Sequence, residues 1–263
     1  MSVGFDLDAI LAKLTTALDA LTGRVDKLEA VPAPQPPVPP PVPVVAKLGA
    51  VSYYYPGVKW DTLLARRPAI AMINPASGPG LAANASYVTQ VAKATAAGAT
   101  VLGYVYSSYA ARPLVDVQAD IDKHVLFYGV KGIFLDEVSN SDNNLPYYQS
   151  VCAYAHSKGL KICLNPGTKT TEGYAKAADW LMVAETSIAS YRTRTAAAWE
   201  SLPAYAGKCW HVVHSCPPAD MPAAVAIAKA QAAGLIWVTD DVLPNPYDTN
   251  PSYLDALVAE LVK

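Results

Sequence analysis

An α/β chain built as a (β/α)8 TIM barrel, preceded by a coiled-coil helix and a proline-rich linker, is the fold class this sequence predicts. Three observations predict it. From Gly49 onward, short apolar runs alternate with helical patterns eight times in about 215 residues, the size and rhythm of one barrel. The clearest run, Gly132 to Leu135, is continuously apolar, which marks a strand covered on both faces, as in a parallel sheet. Helix breakers sit where this repeat needs them: Gly98, Gly159 and Gly234 each follow a helix and lead into a strand. A doubly wound open sheet is the alternative, and eight evenly spaced units favour closure.

Bulk properties agree with one such domain. The 263 residues are 52% hydrophobic and 16% charged, which supplies a substantial core. A formal net charge of -2 gives no basic footprint for nucleic acid. No apolar run reaches the roughly 18 residues of a membrane span, and no secretory signal is visible at the start. The four cysteines, Cys152, Cys163, Cys209 and Cys216, show no CxxC pairing. Cys163 and Cys209 fall in predicted strands and read as free buried thiols, and these spacings predict no metal site and no cofactor.

The first segment, residues 1–30, carries Leu7, Leu11, Leu14, Leu18, Leu21, Val25 and Leu28 in unbroken steps of four and three. That is the a/d seam of a coiled coil. Asp6 and Asp8 suit the helix start, where the macrodipole favours negative charge. A single amphipathic helix packed on its own domain is the alternative. A seam this narrow buries little unless another copy meets it, so self-association through Leu7–Leu28 is expected, a trimer over a dimer. Residues 31–47 are dominated by the run Val31 to Val44, dense in proline. Proline ends the helix and gives an extended spacer of about 3.1 Å per residue. The barrel then occupies residues 48–263.

Strands are predicted at Ala50–Tyr55, Ala69–Ile73, Thr100–Tyr106, Gly132–Leu135, Lys161–Asn165, Trp180–Ala184, Cys209–Val213 and Leu235–Thr239. The clearest helices are Ala85–Ala97, Val115–Tyr128, Pro146–Lys158, Thr195–Ser201, Pro222–Ala233 and Pro251–Val262. Those after the first and fifth strands are poorly defined.

In a barrel every C-terminal strand end points to one face, where active sites collect. Those ends are polar throughout: Tyr53 to Tyr55, Asn74, Tyr104 with Arg112 nearby, Asp136–Glu137, Asn165, Glu185, His211 with His214, and Asp240–Asp241. Asp136, Glu137 and Glu185 are the candidate catalytic set. Two carboxylates about 5 to 9.5 Å apart are what glycoside hydrolysis needs, one to protonate the leaving oxygen and one as nucleophile or base. Neighbours on a strand alternate, so one of Asp136 and Glu137 should aim into the mouth unless the strand has ended. Solvated acids, or acids paired with Arg112 and Lys169, are the structural alternative. Tyr53, Tyr55, Trp60 and Tyr104 are candidates to stack on sugar rings. Asn74, Asn165 and Asp240 are candidates to bond hydroxyls, with Arg112 and His211 as further substrate-binding candidates. Alternation puts His211 and His214 on opposite sides of their strand, which is poor for joint metal ligation. A GxSxG elbow is lacking, and Ser77-Gly78-Pro79-Gly80 lacks the spacing of a phosphate loop.

Four stretches in this order, Val51-Ser-Tyr-Tyr-Tyr-Pro-Gly-Val-Lys-Trp60, Ile73-Asn-Pro-Ala-Ser-Gly-Pro-Gly80, Val101-Leu-Gly-Tyr-Val105 and Gly132-Ile-Phe-Leu-Asp-Glu137, resemble the spherulin-4-like family. The resemblance covers the barrel and not the first 48 residues. It implies a (β/α)8 glycoside hydrolase, whose fungal members act on α-1,4-linked galactosaminogalactan. It also implies catalytic acids at Asp136, Glu137 and Glu185, the last on the short match Val-Ala-Glu-Thr-Ser. A coiled coil, a proline-rich spacer and a carbohydrate-active barrel together resemble minor tail proteins of phages infecting actinobacteria. That resemblance implies a virion protein at the tail tip, with other tail proteins and host cell-wall polysaccharide as partners. A non-catalytic glycan-binding or structural module, and a cytosolic bacterial hydrolase, are the other readings.

Overall fold

The computed structural model describes residues 7–29 and 44–263, in two units, one on each side of the proline-rich stretch. The proline-rich linker expected at 31–47 lies outside the described residues up to residue 43. In the first unit, α1 spans Leu7–Glu29. Its seam residues Leu11, Leu14, Leu18 and Leu21 stand 58–64% exposed in the single chain.

The second unit alternates strand and helix. In order these are β1 (Lys47–Leu48), α2 (Val58–Leu64), β2 (Ile70–Ile73), α3 (Ala85–Ala96), β3 (Thr100–Tyr106), α4 (Leu114–Tyr128), β4 (Gly132–Asp136), α5 (Leu145–Ser157), β5 (Lys161–Leu164), α6 (Glu172–Ala177), β6 (Trp180–Ser187), α7 (Ile188–Tyr191), β7 (Cys209–His214), α8 (Met221–Ala230), β8 (Leu235–Val238) and α9 (Leu254–Leu261). The strands form one parallel sheet in the order β1-β8-β7-β6-β5-β4-β3-β2. A bridge between Gly49 and Ile70 joins the two ends and closes the barrel.

Two expectations are corrected. The first strand is not Ala50–Tyr55. It pairs earlier, at Lys47–Leu48, and the ladder stops where Ser52 takes over. The Ser52 hydroxyl donates to the Met72 carbonyl at 2.8 Å and accepts from the Met72 amide at 3.0 Å, so a side chain replaces the next ladder pair. The helix expected at Thr195–Ser201 is reduced to a 3-10 turn at Ala198–Ser201, because Arg194 and Glu200 fold this stretch around a buried ion pair. The two poorly defined helices are the short α2 and α6.

Inside the barrel, aromatic rings pack against one another. Tyr104 lies over Phe134 at 6.3 Å, and Phe134 meets Trp210 edge-on at 6.0 Å. Trp210 fits because Gly49 has no side chain: a Cβ there would stand 2.9 Å from the indole. On the helix side, Gly103 makes the same kind of room for His124, whose Nε2 meets the Tyr104 carbonyl at 2.7 Å. All four cysteines are buried and unpaired. No helix among the described residues is long and apolar enough to cross a membrane.

Candidate active site

The C-terminal strand ends bring two carboxylates together. Phe134 faces the barrel interior, and Asp136, two residues further along β4, faces the same way. Oδ2 of Asp136 accepts from the Tyr104 hydroxyl at 2.8 Å. Its Oδ1 accepts from Nδ2 of Asn165 at 2.8 Å, and the same nitrogen donates to Oε2 of Glu185 at 2.7 Å. One amide nitrogen thus holds the facing oxygens within about 5.5 Å. Asn165 is fixed in turn, since its Oδ1 accepts from the Gly167 amide at 2.8 Å. The Tyr247 hydroxyl donates to Oε1 of Glu185 at 2.7 Å.

Glu185 reaches this place through an irregularity in β6. Leu181 pairs with Cys209 and Met182 with Trp210, but Ala184 then pairs with His211 and Glu185 with Val212. Val183 is an extra residue, a β-bulge. Trp210 points inward, so Val212 and its partner Glu185 do as well. With Val183 in regular alternation Glu185 would fall on the helix side, where His211 meets the Tyr191 hydroxyl at 2.6 Å.

At the end of β4 the chain turns sharply. Glu137 adopts φ 52°, a left-handed value uncommon outside glycine and often found at functional sites. Its carbonyl accepts from the Ser107 hydroxyl at 2.7 Å and the Tyr109 amide at 2.7 Å, which hold the turn. The Ser107 hydroxyl lies 3.2 Å from that of Tyr148, which accepts from the Ser139 amide at 2.7 Å.

The electrostatics separate the groups. Burial raises the Glu185 carboxyl above its ordinary range and the charge of Asp136 adds to the rise, while the bonds from Asn165 and Tyr247 oppose it. Burial, then the charges of Asp136 and Glu185, push the Tyr53 hydroxyl well up. Tyr104 and Tyr247 rise for the same reasons, so all three remain protonated donors. Tyr53 meets the rings of Tyr104 and Tyr247 edge-on, each at 5.7 Å.

Two cavities flank Glu185. One, of about 470 Å³, is lined by Tyr53, Asn74, His214 and the loop from Leu243 to Tyr247. The other, of about 240 Å³, lies toward Gly167, Lys169 and Arg194. A further cavity of about 390 Å³ opens among Lys47, Thr100 and Trp180 at the strand starts. Barrel chemistry gathers at the opposite face, where the carboxylates are. Among the described residues no cluster of three His, Cys, Asp or Glu side chains is arranged to hold a metal ion.

The family model of spherulation-specific family 4 matches residues 48–261, from the end of β1 through α9. The chain belongs to the spherulin-4 family. It is similar to Spherulin-4 of Physarum polycephalum, 35% identical over 224 residues that cover 79% of this chain and 68% of that one. The fold is similar to that of Aspergillus clavatus Sph3, a crystal structure in complex with GalNAc. The TM-score is 0.71 and the identity 24%, with 83% of this chain and 98% of that chain covered. A chitinase from Chromobacterium violaceum shares the fold more distantly, with TM-score 0.52 and 14% identity over 81% of this chain and 98% of that one.

This spherulin-4 family barrel brings Asp136, Glu185, Asn165, Tyr104, Tyr53 and Asn74 together, and leaves other expected residues elsewhere. Trp60 is fully buried with its indole N–H on the Tyr54 carbonyl at 3.0 Å, so it offers no stacking face. His211 is buried behind the strand, and burial pushes it well below the usual histidine range. His214 lines the mouth instead. Arg112 pairs with Asp120 at 2.7 Å and lies 4.1 Å over the Tyr106 ring, while Lys169 donates to Thr195 at 2.6 Å. Neither is the partner of the acids. Asp240 accepts from the Ser252 amide at 3.0 Å and from its hydroxyl, which ties the loop before α9. Tyr55 is exposed on the rim, its ring edge-on to Tyr87 at 5.4 Å. Tyr104 acts as a donor to Asp136 more than as an open stacking face. Tyr247 was missed because the residues after β8 carry no strand pattern to place them; their Pro-Asn-Pro-Tyr sequence was the available signal.

Proposed function

We propose that the barrel hydrolyses glycosidic bonds in a host-surface polysaccharide, with galactosamine-containing chains as the first substrates to test. The observation that carries this reading is the pair Asp136 and Glu185, bridged by one Asn165 amide on the floor of a tyrosine-lined mouth. Glu185 is the general acid: burial and the charge of Asp136 raise its carboxyl, which favours the protonated form that a leaving oxygen needs. Asp136, oriented by Tyr104 and Asn165, is the second carboxylate and acts at the anomeric carbon. Glu137 binds substrate from the turn beside it. Tyr53, Asn74 and His214 line the sugar site. The binding of GalNAc by the similarly folded Sph3 supports the choice of sugar.

In the same reading the chain is a phage minor tail protein at the tail tip, with other tail proteins as neighbours. Support comes from the order of heptad helix, proline-rich stretch and barrel. The exposed leucines of α1 pack against other copies, three by preference, and several barrels on one assembly strengthen attachment with no new contact per site.

The test is reducing-end release from isolated host cell-wall polysaccharide and from a galactosamine-rich glycan, beside sedimentation of the full chain. Release and a trimer are expected. Retention of glycan on a binding column without release under any pH replaces the enzyme by a binding module, and a monomer at working concentrations removes the assembly.

A further inference from the structure

A bulge leaves one residue outside the regular ladder, and its backbone groups need other partners. In β6 that residue is Val183. Its carbonyl accepts from Nη2 of Arg194 at 3.3 Å. The same nitrogen donates to both oxygens of Glu200, at 2.9 and 2.7 Å. Nη1 of Arg194 donates to Oε1 of Gln231, and Nε2 of Gln231 returns a bond to the Arg194 carbonyl at 3.1 Å. Glu200 accepts one more bond, from the Ala197 amide at 2.8 Å. The Glu200 side chain is fully buried and that of Arg194 is 8% exposed.

Such a pair is weak as a stability device. Well-packed apolar residues often hold a fold as well as a buried ion pair, because desolvating two charges offsets their attraction. What this pair does provide is a rigid donor aimed at one carbonyl, two residues before Glu185. Arg194 also lines the smaller cavity beside Glu185.

We infer that Arg194, fixed by Glu200 and Gln231, is a positioning residue that keeps Val183 bulged and so keeps Glu185 turned into the barrel mouth. The inference rests on the reading of Glu185 as the acid. Losing the anchor lets β6 relax toward regular pairing, which moves the Glu185 carboxyl away from Asn165 and Asp136.

Two variants test it. Arg194→Lys keeps the charge and loses the planar fork. The double variant Arg194→Met with Glu200→Leu removes both charges and leaves neither unpaired. Each is assayed for cooperative melting, for kcat and KM on the glycan, and for the titration of Glu185 by carboxyl 13C NMR, assigned with Glu185→Gln. The expected result is a folded barrel with KM little changed and kcat lower by on the order of 10²-fold, the cost of a misplacement near 1 Å. Glu185 then titrates closer to an ordinary carboxyl, because it leaves its buried place beside Asp136. A folded variant with kcat and Glu185 titration both unchanged overturns the inference. If the parent cleaves no glycan, the titration decides alone: a lowered value supports the positioning role and an unchanged value overturns it.

Discussion

The hydroxyl of Tyr247 donates to Oε1 of Glu185 at 2.7 Å, across 62 residues of sequence. It comes from the loop after β8 and meets an acid on β6, so the last βα loop of the barrel helps to build the candidate site. The bond favours the charged carboxylate and opposes the upward push of burial.

Tyr247→Phe therefore raises the Glu185 carboxyl further. If Glu185 is the acid, the alkaline limb of kcat moves to higher pH, since the acid keeps its proton longer. The maximum falls by about tenfold, the scale of one hydrogen bond to a charged group. A pH–rate profile of both proteins checks the direction.

Glu185→Gln tests the cost of the buried acid. Its folded carboxyl is raised, so the folded state binds more protons than the unfolded state between the ordinary and raised values. Stability then falls as pH rises through that window. The glutamine carries no such penalty, and its amide oxygen and nitrogen suit the Asn165 donor and the Tyr247 hydroxyl. The variant is expected to melt higher than the parent at neutral pH and to lose that advantage below the ordinary carboxylate range, as read by thermal melts across pH.

Gly103 and His124 predict two stability effects. A Cβ at Gly103 would stand 2.5 Å from the imidazole, so Gly103→Ala should destabilise the barrel by about 1–3 kcal/mol, measured in urea. Burial pushes His124 down from 6.5 to about 4. Between those values the unfolded chain binds the extra proton, so stability drops as pH falls from 6.5 through 4. His124→Gln should flatten that part of the curve.

The spacing of the acids predicts the stereochemistry. Nearest oxygens no more than about 5.5 Å apart, the sum of their two bonds to Asn165, fall on the short side of the range, where the second carboxylate attacks directly. The first product is therefore expected with the anomeric configuration of the substrate, followed by proton NMR of a fresh digest.

The barrel was legible because its signals are local and repeated: apolar runs, helix breakers and polar strand ends. Asp136 was legible for the same reason, since it ends the clearest strand in the chain. The type and strand-end position of Glu185 are readable in the sequence, but its direction is not, because Val183 shifts the alternation by one. Alternation correctly separated His211 from His214 without saying which faced inward; the link from Trp210 through Val212 to His214 settles that. Trp60 and Arg112 are held away from the acids by nearby partners, the Tyr54 carbonyl and Asp120. No strand pattern places Tyr247: its Pro-Asn-Pro-Tyr setting marks a loop but not the contact with Glu185.

The most direct test of the central claim is glycan cleavage by the full chain beside its Asp136→Asn and Glu185→Gln variants, with folding followed by circular dichroism. The account predicts reducing-end release by the parent and loss of about 10²–10⁴-fold in each folded variant. Cleavage by both variants at the parental rate would contradict it.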